Sequence, residues 1–198
     1  AVETRMSSVD HGKNLVARLD TGHQQWAFHV NGYHKDAQDY DTPRFEVADE
    51  DDIDTFVSVE NSYSEAFGAT VGASYIGERG MIGLSVHRTE SEYGLPGHHA
   101  HEEEHDDDHD EDHEDDHHED EAGPYIDLQQ WRYDLKASLD RPFKGFEKLR
   151  IAASVSDYAH QEREGDEVAT RFENDGLEFR VELTHGDASG WRGVIGTQ

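Results

Sequence analysis

Trp131-Arg132-Tyr133-Asp134-Leu135-Lys136-Ala137-Ser138-Leu139-Asp140 is the stretch that decides the fold. Trp131, Tyr133, Leu135, Ala137 and Leu139 fall on one side of an extended chain. Arg132, Asp134, Lys136, Ser138 and Asp140 fall on the other. Side chains of a strand alternate between its faces, so a strict period of two predicts a strand with one apolar and one wet face. The same alternation recurs on both sides of this stretch. Upstream it runs through Trp26, Phe28 and Val30; through Phe67, Ala69, Val71, Ala73 and Tyr75; and through Ile82, Leu84 and Val86. Downstream it runs through Leu149, Ile151, Ala153 and Val155, and through Leu177, Phe179, Val181 and Leu183. No comparable stripe at helical spacing is present. The expectation is an all-β chain of about eight or nine antiparallel strands.

The links between these strands have their own order. Asp20-Thr21-Gly22-His23, Gly77-Glu78-Arg79-Gly80, Arg141-Pro142-Phe143-Lys144-Gly145 and Gly186-Asp187-Ala188-Ser189-Gly190 are short and rich in Gly or Pro. The links between them, about Lys35 to Thr55, Gly94 to Pro124 and Gln161 to Asn174, are expected to be long acidic loops. In an up-and-down sheet, alternating short and long links put all turns at one end and all loops at the other. That asymmetry is the pattern of outer-membrane barrels. The apolar faces carry no charge, whereas the opposite faces carry Arg18, Asp20, Arg132, Asp134, Lys136, Glu178, Arg180 and Glu182. Lipid on one side and a wet lumen on the other would suit both faces. A soluble sandwich with its polar face in bulk water has the same alternation.

The longest link carries the chemistry. From His98 to Glu121 every residue except Ala100 is His, Asp or Glu: 8 His and 15 acids in 24 positions. The histidines are His98, His99, His101, His105, His109, His113, His117 and His118. With neutral imidazoles, the segment supplies 15 of the 29 net negative charges of the chain. It has no apolar area to bury and its charges repel, so without a ligand it is expected to be disordered. His101, His105, His109, His113 and His117 recur every fourth residue, which on a helix would align them on one face. Neutral imidazole suits zinc, copper and nickel, whereas calcium and magnesium prefer oxygen alone. These eight histidines are therefore the candidate metal ligands, with zinc the leading ion and copper or nickel the alternatives. The plain alternative is a solvated acidic spacer. His101-Glu102-Glu103-Glu104-His105 and His113-Glu114-Asp115-Asp116-His117 match the metalloprotease pattern of two histidines around a glutamate. That chemistry needs a buried helix that excludes water, and here composition alone generates the matches. No enzyme activity is expected.

Composition narrows the partners. Of 198 residues, 46 are acidic and 17 basic, giving a net charge of -29. That balance excludes nucleic acid, whose phosphates call for clustered Lys and Arg. There is no cysteine, so thiolate zinc sites and disulfides are excluded. No run approaches the roughly 18 apolar residues of a membrane-spanning helix. Ala1-Val2-Glu3-Thr4-Arg5 lacks the apolar region of a signal peptide, so the sequence is read as a mature chain or a fragment.

Beyond the tract, His87 is out of phase with Ile82, Leu84 and Val86. It is expected on the inner face, either as a lumen-lining polar group or as a relay for metal. His160, at the mouth of the next long loop, has the same two readings. His11, His23 and His185 fall near turns, and His29 and His34 are read as structural or lumen-facing. Trp26, Trp131 and Tyr133 have the placing of interface-belt aromatics, with ordinary packing as the alternative.

The chain resembles TonB-dependent outer-membrane receptors, specifically the zinc receptors of the ZnuD type. The resemblance begins at Tyr75-Ile76-Gly77-Glu78-Arg79-Gly80-Met81-Ile82-Gly83 and continues through Ser91-Glu92-Tyr93-Gly94-Leu95-Pro96-Gly97-His98. It resumes after the tract at Ile126-Asp127-Leu128, Arg132-Tyr133-Asp134-Leu135 and Pro142-Phe143-Lys144-Gly145-Phe146-Glu147. Asp157-Tyr158-Ala159-His160, Gly165-Asp166-Glu167-Val168 and Phe172-Glu173-Asn174 complete it, so that it covers most of the chain and is loose before about residue 65. The resemblance implies a bacterial outer-membrane location, a barrel of about twenty-two strands around a plug domain, and uptake driven by the TonB system. This sequence has no plug and no TonB-contacting box, and is read as a partial barrel, residues 1–198, whose extracellular loop 98–121 takes the metal. The alternative reading is a soluble periplasmic metal buffer or chaperone on a small barrel.

Overall fold

The computed structural model describes residues 1–48, 53–97, 123–186 and 190–198. The elements are β1 (Val2–Met6), β2 (Lys13–His23), β3 (Trp26–Ala37), β4 (Asp41–Ala48), β5 (Ile53–Ser58), β6 (Ser64–Gly77), β7 (Gly80–Gly94), β8 (Tyr125–Asp140), β9 (Phe146–Glu164), β10 (Glu167–Gly186) and β11 (Arg192–Thr197). There is no helix among the described residues. Nine strands form one sheet in the order β1-β2-β3-β6-β7-β8-β9-β10-β11, and β4 and β5 form a separate hairpin. Every pairing is antiparallel. The expected all-β, antiparallel, up-and-down order is therefore present. Among the described residues, strands touch only their neighbours in the sheet, so this is one layer with β1 and β11 at its open edges.

The register gathers the alternating residues into rungs that cross the sheet. Leu19, Val30, Val71, Val86, Tyr133, Val155 and Leu177 form one continuous rung. Phe28, Ala73, Leu84, Leu135, Ala153 and Phe179 form the next, and Trp26, Tyr75, Ile82, Ala137, Ile151 and Val181 the one beyond. Asp20, His29, Gly72, Ser85, Asp134, Ser154 and Glu178 form a rung on the opposite face. Slipping one strand by a single residue would invert its faces, so the two-sided pattern fixes the register.

The two faces of the sheet differ in exposure. No apolar side chain is buried among the described residues. Leu84 is 62% exposed and Leu177 78%, while Ser154 on the charged face is only 7% exposed. The Asp134 and Glu182 side chains are 25% and 23% exposed. Several charged-face side chains are thus more enclosed than the apolar ones opposite them, while Glu178 on the same face is 72% exposed.

Three details depart from the sequence expectation. Residues Gln161 to Asn174 are not a long loop. β9 runs to Glu164 and β10 starts at Glu167, joined by Gly165 (φ 54°) and Asp166. Acidic composition signals a loop only where one face of the chain must be apolar. Here cross-strand backbone bonding and the stacking of His160 on β9 against Phe172 on β10 at 5.3 Å keep the strands paired. The first long link carries the β4–β5 hairpin, after β3 has continued through Ala37. The first turn is Gln24-Gln25 rather than Asp20 to His23, with Gln24 at φ 53°.

Tyr33 lies across Gly68. A Cβ on Gly68 would sit 2.2 Å from the Tyr33 ring. Gly68→Ala is expected to destabilise the sheet by about 1–3 kcal/mol through overpacking. The measurement is a lowered denaturant midpoint in detergent, with much of the loss recovered in the Gly68→Ala, Tyr33→Ala double variant.

Candidate metal centre

All eight candidate ligands, His98, His99, His101, His105, His109, His113, His117 and His118, lie outside the described residues. Their place in the chain is nonetheless defined, because β7 ends at Gly94 and β8 begins at Tyr125. The tract springs from the sheet end that also carries the β1–β2 and β3–β6 connections and the β9–β10 tip. The opposite end carries the short links after β2, β6, β8 and β10.

The neck of this link is built around Asn61, which the sequence reading missed. Its Nδ2 donates to the carbonyl oxygens of Leu95 (3.1 Å) and Pro124 (2.7 Å). The Leu95 amide donates to the same Pro124 oxygen at 2.9 Å, and the Gly94 amide to Tyr63 O at 3.2 Å. Asn61 is itself fixed. Its amide donates to Asp39 Oδ2 at 3.2 Å, and the neighbouring Ser62 amide to Asp39 Oδ1 at 2.6 Å. Asn61 sits at φ 57°, a region Asn tolerates better than most residues. Gly94 and Gly123 are small for a reason: a Cβ on either would meet Asn61 at 2.3 Å or 2.8 Å. The Glu60-Asn61-Ser62 run was the available signal, since Asn and Ser favour tight turns.

Beside the neck, the Tyr63 hydroxyl donates to Glu92 Oε1 at 3.2 Å. Partial burial, then the negative charge of Glu92, hold the Tyr63 phenol up at about 12. Tyr63 therefore stays protonated, and remains a donor, across the physiological range.

The histidines outside the tract are distributed over both faces. His87 lies on the charged face, as expected, with Nδ1 2.7 Å from Thr70 Oγ1 and Nε2 2.7 Å from Thr89 Oγ1. His160 is on the same face, with Nδ1 3.0 Å from the Tyr158 hydroxyl. His29 shares it, with Nδ1 2.5 Å from Asp20 Oδ1. His34, two rungs beyond Val30, lies on the opposite face. No group of three or more His, Asp or Glu side chains is arranged to hold a metal among the described residues.

Removing the Asn61 carboxamide takes the side-chain donor from the Leu95 carbonyl and leaves the Pro124 carbonyl with the Leu95 amide alone. Asn61→Ala is expected to cost about 1–3 kcal/mol locally. Hydrogen exchange should quicken at the Leu95 and Tyr125 amides and stay unchanged in the middle of β8. No known family model matches this chain.

Proposed function

We propose that this chain is the metal-capturing part of an outer-membrane receptor of the TonB-dependent zinc type. The observation that carries the reading is the inverted enclosure of the sheet, with an open apolar face and a partly enclosed charged one. In water that face would be a large aggregation-prone patch. Against lipid it is the ordinary surface of a membrane strand. A small soluble barrel, the competing reading, would turn the apolar face inward instead.

The apolar face also has a boundary. From Leu139 to Trp131 it spans eight residues, about 27 Å along the strand. At the usual tilt that is a height of roughly 20 Å, close to the roughly 25 Å band of outer-membrane barrels. Beyond Trp131 the same face becomes charged. Arg88 and Asp157 flank Trp131 in one rung, and the Arg88 guanidinium lies 5.1 Å over the indole. Further out, Asp36, Glu65, Glu92 and Asp127 follow one another across four strands. Trp26 and Tyr75, 5.3 Å apart, mark the other margin. A bilayer ending near Trp131 leaves the neck and the tract in water.

The proposed order of events is simple. The anionic tract raises the local cation concentration, and its imidazoles take zinc as cargo, with copper or nickel as weaker candidates. The charged face offers the ion a wet path. Lipid does not tolerate open strand edges, so the edges at β1 and β11 would be closed by further barrel strands. A plug engaging the TonB system would drive the uptake step. No catalytic role is proposed.

Deleting residues 98–121 is expected to remove most zinc binding while leaving strand content intact, as read by titration calorimetry and circular dichroism. An unchanged zinc stoichiometry would refute the capture role. Binding is also expected to weaken as pH falls through about 6.5, where free imidazole takes up a proton. Leu84→Arg, at mid-band, is expected to destabilise the bilayer-inserted protein by about 2–4 kcal/mol, whereas Ser85→Arg on the other face should not. Equal effects of the two changes, or folding without detergent or lipid, would favour the soluble reading.

A further inference from the structure

We propose that Asp20 and His29 form a low-affinity transit site for a divalent transition-metal ion on the charged face of the sheet. The proposal rests on the capture reading only for the identity of the cargo. Asp20 on β2 and His29 on β3 are direct cross-strand partners. The Asp20 Oδ1 and the His29 Nδ1 face each other at 2.5 Å. Their side chains are 52% and 33% exposed, so solvent reaches the pair. It opens on a groove of about 600 Å³ that Thr70, Ser85, Arg132 and Asp134 also line.

The pair is preorganised from both sides. Arg18 Nε donates to Asp20 Oδ2 at 2.6 Å, which fixes the carboxylate and leaves Oδ1 for His29. The Asn31 carboxamide lies 2.6 Å from His29 Nε2 and fixes the ring. His87 and His160 differ, since their rings meet hydroxyls at Thr70, Thr89 and Tyr158. His29 meets a carboxylate, the second ligand type that zinc accepts.

The exchange is balanced. The ion replaces the proton between Nδ1 and Oδ1. Zinc lies about 2.0–2.2 Å from such donors at a tetrahedral angle, so the two atoms have to part to roughly 3.4 Å, a movement of about 1 Å. The displaced proton goes to water if the ring was cationic. If the ring was neutral, its one proton is relocated to Nε2, where the Asn31 carboxamide oxygen accepts it once the amide has turned over. Water completes the coordination shell. Two protein ligands beside Arg18, with Arg132 across the groove, make a weak site. Weakness suits a stop on a pathway, where an ion must leave as readily as it arrives.

The test is carbethoxylation of the full chain in detergent at neutral pH, with and without zinc chloride, read histidine by histidine by peptide mass spectrometry. Zinc is expected to slow modification of His29 several-fold, while magnesium does not. Asp20→Asn should abolish that protection and leave protection of the tract histidines in place, whereas Asp20→Glu should retain it. Each variant is compared with its own zinc-free rate. His29 reacting equally fast with and without zinc, or remaining protected in Asp20→Asn, overturns the site. If His29 is protected and the tract histidines are not, the transit site stands and the capture reading falls.

Discussion

A single open layer of strands leaves its apolar face uncovered by the rest of the described chain, and much else in this structure follows from that constraint. In a two-layer protein, face-to-face packing supplies the hydrophobic stabilisation. Here the strands touch only their neighbours in the sheet among the described residues. Backbone hydrogen bonding then carries the order of the sheet, and the two faces must find their partners elsewhere. The charged face does so partly within the chain. Arg132 reaches Asp134 at 3.1 Å and Ser154 at 3.2 Å, and Ser154 donates to Glu178 at 3.1 Å. Arg180 and Arg150 both approach Glu182. The apolar face has no such internal solution among the described residues, where Leu84 stays 62% and Leu177 78% exposed.

That difference explains why the ion pairs around Arg132, Arg150 and Arg180 gather on the charged face. Exposed pairs of this kind are individually worth little. On the charged face they keep polar atoms satisfied, and those that cross between strands, such as Arg150–Glu182 and Lys148–Asp140, link neighbours. The Arg18–Asp20–His29–Asn31 series is the local version of this arrangement on β2 and β3.

Much of the fold was legible because its signal is periodic. Trp131 to Leu139 shows its strand without reference to any neighbour, and so does Leu177 to Leu183. The order of short and long links then gives the neighbour pairing. What stayed hidden depends on partners distant in sequence. Gln161 to Asn174 looks like a loop because its charges follow no apolar alternation. It is strand because β9 and β10 continue to pair after the apolar alternation has ended. Asn61 gave little sign of its role, since its partners at Leu95 and Pro124 are 34 and 63 residues away. The Asp20–His29 pairing was equally hidden until the β2–β3 register placed the two side by side. The tract histidines were the opposite case, plain in composition, with nothing in the described residues to set their geometry.

The direct bonding of Leu95 to Pro124 beneath the tract has a consequence for variation in this chain. Once β7 and β8 are paired and Asn61 has tied Leu95 to Pro124, the two ends of the link between them are fixed beside each other. The entropy of closing such a link grows only with the logarithm of its length, about 0.6 kcal/mol for each doubling. Insertions or deletions of repeats there scarcely touch folding. The count of imidazoles in this link is therefore free to vary without disturbing the β7–β8 pairing on either side of it.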